Sequence, residues 1–237
     1  MNFIQAAKYY FRAILDLNYE MFYARKWDDY KKDKNWIQSL PGISPGGWAV
    51  GYNYVYVLTR ILTEMRPRSV LEFGLGESTT IIAEYFKRSD FSGGKHDVIE
   101  HDEEWRDFYN RKVSVGADTK IYIAECTEKV YKGVKYNAYA DIGQIVLGCK
   151  YDVISVDAPI GGSNYARRDI LEYIPQVLSE KFVILVDDSQ RKGEKKTIAD
   201  IEKLLNSSGI KYKKGTYRGL DHTTVIASED NKFFCTM

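Results

Sequence analysis

The residues best suited to chemistry sit in one short run, Val70-Leu-Glu-Phe-Gly-Leu-Gly-Glu-Ser-Thr79. It reads as an apolar strand, a glycine turn and a polar helix start. Gly74 and Gly76 can take backbone angles closed to other residues and let a ligand approach the main chain. A helix beginning near Ser78 would aim free N–H groups and the positive end of its dipole at that ligand. The carboxylate of S-adenosylmethionine (SAM) or the pyrophosphate of a dinucleotide would suit the place. The third glycine of the dinucleotide fingerprint is missing, because Thr79 stands there. Glu72, two residues before Gly74, is an acid where the SAM amino group would lie. The same residues would also serve as a plain tight turn with Ser78 capping the helix.

Downstream acids fall at the ends of further apolar runs. Glu100 closes the second one and could accept hydrogen bonds from both ribose hydroxyls, with Asp102 capping the helix that follows. Glu125, after the third run, could meet an adenine amino group or be a solvated charge. Asp157 ends the fourth run in Val-Asp-Ala-Pro-Ile-Gly-Gly, and Asp187 and Asp188 end the fifth in Leu-Val-Asp-Asp-Ser-Gln-Arg. In an open α/β sheet these strand ends face one crevice, so the three carboxylates should converge. Hard oxygen donors of this kind suit Mg²⁺ or Mn²⁺, which would lower the pKa of a bound substrate hydroxyl. Acids at strand ends also cap helices, and Asp188-Ser189 precedes one.

His222, in Arg218-Gly-Leu-Asp-His, opens the last strand near the crevice rim and is a candidate base. His101 lies on the cofactor side. Arg167, Arg168 and Arg191 flank the acceptor side and could hold a carboxylate, surface solvation being the simpler fate of each. Catalysis is thus expected from Asp157, Asp187 and His222. Cofactor binding is expected from Glu72, Gly74, Gly76, Ser78, Glu100, Glu125 and Asp157, and metal ligation from Asp157, Asp187 and Asp188.

The elements that must position these residues alternate regularly. Strands are expected over 69–73, 97–100, 120–124, 151–156, 182–186, 210–216 and 223–227, and helices over 52–65, 78–87, 103–112, 165–178 and 194–206. The alternation predicts a doubly wound, seven-stranded, mostly parallel α/β sheet with right-handed crossovers. Tyr217 to His222 are too few residues for a parallel crossover, which needs roughly a dozen. The last strand should therefore run antiparallel, as a hairpin at the sheet edge. That separates this chain from the all-parallel dinucleotide fold.

Before the sheet, residues 3–22 place Phe3, Ile4, Ala7, Tyr10, Phe11, Ile14, Leu15, Met21 and Phe22 on one helical stripe, interrupted by Asn18. The stripe should pack on the main domain or on a second copy. Residues 26–37 read as a solvated connection and 41–47 as a turn-rich loop. The division is an N-terminal helical extension over 1–50 and a ligand-binding domain over 51–237. Among 237 residues, 34 basic and 33 acidic side chains leave a net charge of +1. That balance gives no bulk attraction to nucleic acid or anionic membrane. No stretch reaches the roughly 20 apolar residues of a membrane span. Three well-separated cysteines fit a reducing cytoplasm better than a disulfide framework.

Leu71-Glu-Phe-Gly-Leu-Gly76, Glu100-His-Asp-Glu-Glu-Trp105, Val156-Asp-Ala-Pro159 and Val186-Asp-Asp-Ser-Gln-Arg191 together resemble the successive motifs of class I SAM-dependent methyltransferases, over about residues 50–228. Two branches are similar. The metal-dependent O-methyltransferases of the catechol and caffeoyl-CoA type share the acids after the fourth and fifth strands. The glucuronoxylan 4-O-methyltransferases share the Phe-Gly-Leu-Gly turn and the Asp-Ala-Pro loop, but more often read His-Asp where this chain has Asp187-Asp188. The resemblance implies SAM as cofactor and O-methylation of a small-molecule or glycan hydroxyl, with metal assistance in the first branch. An NAD-dependent oxidoreductase using the same turn, or a non-catalytic SAM- or nucleotide-binding module, would be the alternatives.

Overall fold

The computed structural model describes the chain except residues 1, 2, 41, 47, 48, 89–92, 162, 163 and 237. It opens with helix α1 (Phe3–Tyr30), a 3-10 turn (Lys31–Asp33), α2 (Asn35–Gln38) and α3 (Tyr52–Glu64). Then come β1 (Ser69–Phe73), α4 (Glu77–Phe86), β2 (Lys95–Glu100), α5 (Glu103–Lys112) and β3 (Thr119–Ile123). A hairpin, β4 (Cys126–Tyr131) and β5 (Val134–Tyr139), and a short α6 (Gly143–Val146) lead to β6 (Tyr151–Val156). The chain closes with β7 (Leu178–Val186), α7 (Lys192–Ser207), β8 (Tyr212–Tyr217), β9 (Thr223–Ser228) and a 3-10 turn (Glu229–Cys235).

Seven strands form one sheet in the order β3-β2-β1-β6-β7-β9-β8. β3, β2, β1, β6 and β7 are parallel, and β9 runs antiparallel to both β7 and β8. The expected terminal hairpin is present, with β8 rather than the last strand at the rim. The sheet has a core on each face. Along β1, Val70 joins the core beneath α3 and α4, while Leu71 and Phe73 join the opposite one beneath α7, as the period of two along a strand requires. Leu58, Ile61 and Leu62 of α3 are fully buried, each contributing about 1.5–3 kcal/mol of apolar transfer.

Three sequence expectations change. The N-terminal helix continues through residues 26–30, so the connection expected over 26–37 is mostly helical. Its apolar stripe does not pack on the domain: Ile4, Tyr10, Phe11, Ile14 and Met21 are all exposed, and only its last turns enter the core, through Tyr23 and Trp27. The helix expected over 165–178 is a single 3-10 turn, Asp169–Glu172. Pro175 lacks an N–H and disfavours helical angles at Ile174, so a helix could not continue unbroken to 178. The hairpin β4–β5 occupies a stretch with no sequence assignment. The loop expected over 41–47 lies partly outside the described residues, at Pro41 and Gly47. Among the described residues no helix is long and apolar enough to cross a membrane.

Candidate active site

The carboxyl ends of β1, β2, β6 and β7 are stitched at one level. Gly74 N–H donates to Ile99 O at 2.9 Å, Asp157 N–H to Phe73 O at 3.0 Å, and Asp187 N–H to Val156 O at 3.1 Å. Gly74 holds φ +103, an angle that calls for glycine, and a Cβ there would press on the Ala158 Cβ at 3.0 Å. Gly76 caps α4 in extended backbone, and its N–H donates to Thr79 Oγ1 at 3.0 Å. Thr79, the residue that breaks the dinucleotide pattern, thus closes the helix start in place of Ser78.

The turn is clamped from the next strand and helix. Leu75 N–H donates to Glu100 Oε2 at 3.0 Å, and the Trp105 indole N–H donates to Leu75 O at 2.7 Å. Glu100 Oε1 accepts the backbone N–H groups of His101 and Asp102 at 2.6 and 2.9 Å. Asp102 caps α5 as expected, accepting Trp105 N–H at 2.9 Å. Acids in the first turn of α5 and Arg111 and Lys112 in its last suit the helix dipole.

Above the turn lies a cleft of about 640 Å³. Of the expected residues, Gly74, Gly76, Ser78, Glu100, Asp157, Asp187 and Asp188 line it, together with His101, Trp105, Arg167, Arg191, Asp221 and, from the N-terminal segment, Ala49 and Val50. Glu72, Glu125 and His222 do not. Glu72 shares its strand face with Val70, so it points into the sheet's interior. There one oxygen pairs with His96 Nε2 at 3.0 Å and the other has no partner among the described residues. Glu125 is exposed where the chain turns into β4, and its carbonyl accepts Ala140 N–H at 2.8 Å. His222 lies half-buried under α1, its Nε2 3.6 Å from Asp16 Oδ1. Burial pushes its pKa below the usual histidine value, against the pull of Asp16. The main chain of His222 is structural: its carbonyl accepts both Ser189 N–H and Ser189 Oγ–H, at 2.8 and 2.9 Å.

Asp157, Asp187 and Asp188 do converge, but around a guanidinium. Arg167, with a side chain only 4% exposed, reaches Asp157 Oδ1 at 3.0 Å and Asp188 Oδ2 at 2.7 Å. Its other terminal nitrogen donates to the Asp187 carbonyl at 2.8 Å. Asp188 Oδ1 pairs with Arg191 at 2.8 Å, and Asp187 Oδ1 accepts Thr223 Oγ–H at 2.9 Å. The oxygens a cation would need are largely engaged, and a positive charge already stands among them. As they are paired here, these residues fit a guanidinium better than Mg²⁺ or Mn²⁺. Consistently, among the described residues no group of three His, Cys, Asp or Glu is disposed to hold a metal ion. Burial raises Asp157 to about 6, with Arg167 holding it down, and burial and the neighbouring carboxylates push Asp187 well above the ordinary range.

Two of the three arginines depart from a solvated surface. Arg167 serves its own chain's acids. Arg168 pairs with Asp200 and lies 3.5 Å over the Tyr131 ring. Arg191, 56% exposed, remains at the cleft rim. Trp105 as a clamp and Arg167 as a buried cation had no sequence signal beyond residue type, because each acts across elements.

Asp221 and Val50 reach the cleft through the N-terminal helix. Glu20 of α1 is buried, and its Oε1 accepts Tyr52 N–H at 2.6 Å, capping α3 where Gly51 offers no side chain. Its Oε2 accepts Leu220 N–H at 3.1 Å in the β8–β9 loop. Asn53 completes the link by donating to the Tyr217 and Asp221 carbonyls at 3.0 and 2.9 Å.

No protein-family model and no curated protein sequence matches the chain. Solved structures do. An O-methyltransferase from Bacillus cereus, in complex with SAH (S-adenosylhomocysteine), superposes with a TM-score of 0.54 at 16% identity, covering 86% of this chain and 97% of that one. TomG from Streptomyces achromogenes, an O-methyltransferase of tomaymycin synthesis in complex with SAM, gives 0.51 at 17% identity, covering 94% and 96%. The likeness shows a shared fold: the Rossmann-like, mostly parallel seven-stranded sheet of the class I methyltransferases, with its antiparallel strand.

Proposed function

We propose that the chain is a SAM-dependent methyltransferase that methylates a hydroxyl group of a small molecule or glycan. The observation that carries this reading is the clamped Gly74–Gly76 turn with Asp157 beside it on the next strand end, both lining a cleft of about 640 Å³. The start of α4 and Gly76 offer N–H groups and a positive dipole end for the carboxylate of SAM. Glu100 Oε2, which accepts only Leu75 N–H, has lone pairs left for ribose hydroxyls. When bound, SAM supplies an electrophilic methyl on a positively charged sulfur.

This chain's own part is to orient the acceptor and take its proton. Asp157, beside the turn, has a pKa near the range where a general base works at neutral pH. Its carboxylate would take the proton of an acceptor hydroxyl as that oxygen accepts the methyl group a bound SAM would supply. Asp187 and Arg191 flank it, and Ala49 and Val50 of the segment over 1–50 cover the cleft, so that segment acts as a lid built into the domain. His222, turned away under α1, has no part in this scheme. Within the same reading, the exposed stripe on α1, with Ile4, Phe11, Ile14 and Met21 in line, is the contact for a second copy, testable by light scattering of Phe11→Glu.

Calorimetry with SAM, SAH and NAD tests the function directly. SAM and SAH should bind in the low-micromolar range, on the order of −8 kcal/mol, and NAD should not. NAD binding without SAM binding would replace the reading with an oxidoreductase. SAM binding with no turnover on any hydroxylated acceptor would leave a binding module.

A further inference from the structure

The cluster at the ends of β6 and β7 carries more than it was expected to. Four acids, Asp157, Asp187, Asp188 and Glu194, surround Arg167, whose Nε lies 4.0 Å from Glu194 Oε1. Both partners of its 2.7 Å pair, Arg167 and Asp188, hold left-handed backbone, at φ +54 and +56. Side chains other than glycine avoid that region, and such angles persist only where the surroundings impose them. The fold therefore accepts backbone strain at two non-glycine positions to bring this guanidinium and this carboxylate together. A guanidinium is planar, permanently charged and forked, and can bind several oxygens at once, where a hard divalent ion would demand a closed oxygen shell.

We propose that Arg167 is the resident cation of the active site. It occupies the place a divalent ion would take, ties the end of β6 to that of β7, and holds Asp157 at the cleft wall through one oxygen. This deepens the methyltransferase reading and rests on it for the role of Asp157. The chemistry is then independent of metal, although its acids lie where a metal-dependent enzyme would place ligands. Arg167 is a positioning residue: it acts on substrate only through Asp157. A divalent ion bound through the same oxygens would have to displace Arg167 from Asp157 and Asp188, with which it is already paired.

The test is Mn²⁺ titrated into the full chain, with free Mn²⁺ read by electron paramagnetic resonance, with and without SAH. Wild type and Arg167→Lys, which keeps the charge, should leave the Mn²⁺ signal unchanged to millimolar concentration. Arg167→Met, with folding checked by circular dichroism, should take up one Mn²⁺ at least tenfold more tightly than wild type. Adding Asp157→Asn to that variant should abolish the uptake. A merely structural arginine would not convert the site into a metal site. Stoichiometric micromolar Mn²⁺ binding by wild type or by Arg167→Lys overturns the proposal, and so does a folded Arg167→Met that binds none. Should Arg167→Met fail to fold, wild type and Arg167→Lys still decide. SAH calorimetry on the same samples keeps the two readings apart: absent SAH binding removes the methyltransferase reading, while the Mn²⁺ result still decides the place of Arg167.

Discussion

The Trp105 indole N–H holds the Leu75 carbonyl at 2.7 Å, so a side chain on α5 fixes the backbone of the glycine turn after β1. Trp105 is itself 41% exposed, and its ring stacks on Phe108. Trp105→Phe keeps the ring and removes the donor. SAH affinity should fall roughly two- to tenfold, the net worth of one hydrogen bond, with little change in Tm. Calorimetry giving unchanged affinity would show that the turn holds its shape without the clamp.

Glu100 gathers three backbone N–H groups, from Leu75, His101 and Asp102. Glu100→Ala should cost SAM binding roughly 1–3 kcal/mol and lower stability as well, because it strands partly buried donors. The paired measurement, calorimetry and a thermal melt, should show both losses. A loss of stability alone would take Glu100 out of the cofactor site.

Asp157→Asn and Asp187→Asn should each lower turnover by roughly 10²–10⁴ in protein that still folds, since asparagine keeps an oxygen for Arg167 and for Thr223. The base must be ionised to accept a proton. Wild-type kcat/KM should therefore fall as pH drops through about 6 and Asp157 takes up a proton. EDTA should change nothing. Near-wild-type turnover of both variants on an identified acceptor would move the chemistry elsewhere.

Asp169 offers a pH prediction away from the cleft. It is 2% exposed, its Oδ2 accepts Tyr139 N–H at 3.2 Å, and burial pushes it up to about 7. A carboxyl whose folded pKa is raised stabilises most below its unfolded pKa, and that contribution is lost as pH rises toward the folded value. Asp169→Asn keeps the acceptor and never ionises. Its stability relative to wild type should rise between about pH 4 and 7, by on the order of 4 kcal/mol in all. Parallel denaturation curves across that range would expose the idea as wrong.

Glu20 should behave as the latch of the N-terminal segment. Glu20→Ala leaves Tyr52 N–H and Leu220 N–H without their acceptor and should cost about 1–2 kcal/mol, the usual worth of a helix cap. Hydrogen exchange should quicken at Tyr52 and Leu220 first, and SAM affinity should drop because Val50 and Asp221 line the cleft. Unchanged exchange at both amides would deny the latch.

Much of this was legible in the chain. The spacing of apolar runs and glycine placed β1, α4, β2, α5 and β6 within a residue or two, because a buried parallel strand must be apolar and a helix must start on a cap. The short link from Tyr217 to His222 dictated an antiparallel end, because six residues cannot cross a sheet. The convergence of Gly74, Glu100, Asp157, Asp187 and Asp188 followed from topology, since parallel strands share one carboxyl edge. Other features were decided only in three dimensions. Whether Glu72 faced the cleft or the core depended on the phase of a period-two strand, and its partner His96 comes from another strand. Whether His222 met substrate or Asp16 depended on where α1 docked. Above all, no local pattern distinguishes an arginine that solvates a surface from Arg167, buried among acids from β6, β7 and α7. The sequence by itself determined which charges arrive at the crevice. Their pairing, and so whether a metal or a guanidinium balances them, depended on packing between distant segments, where burial makes every unmatched charge costly.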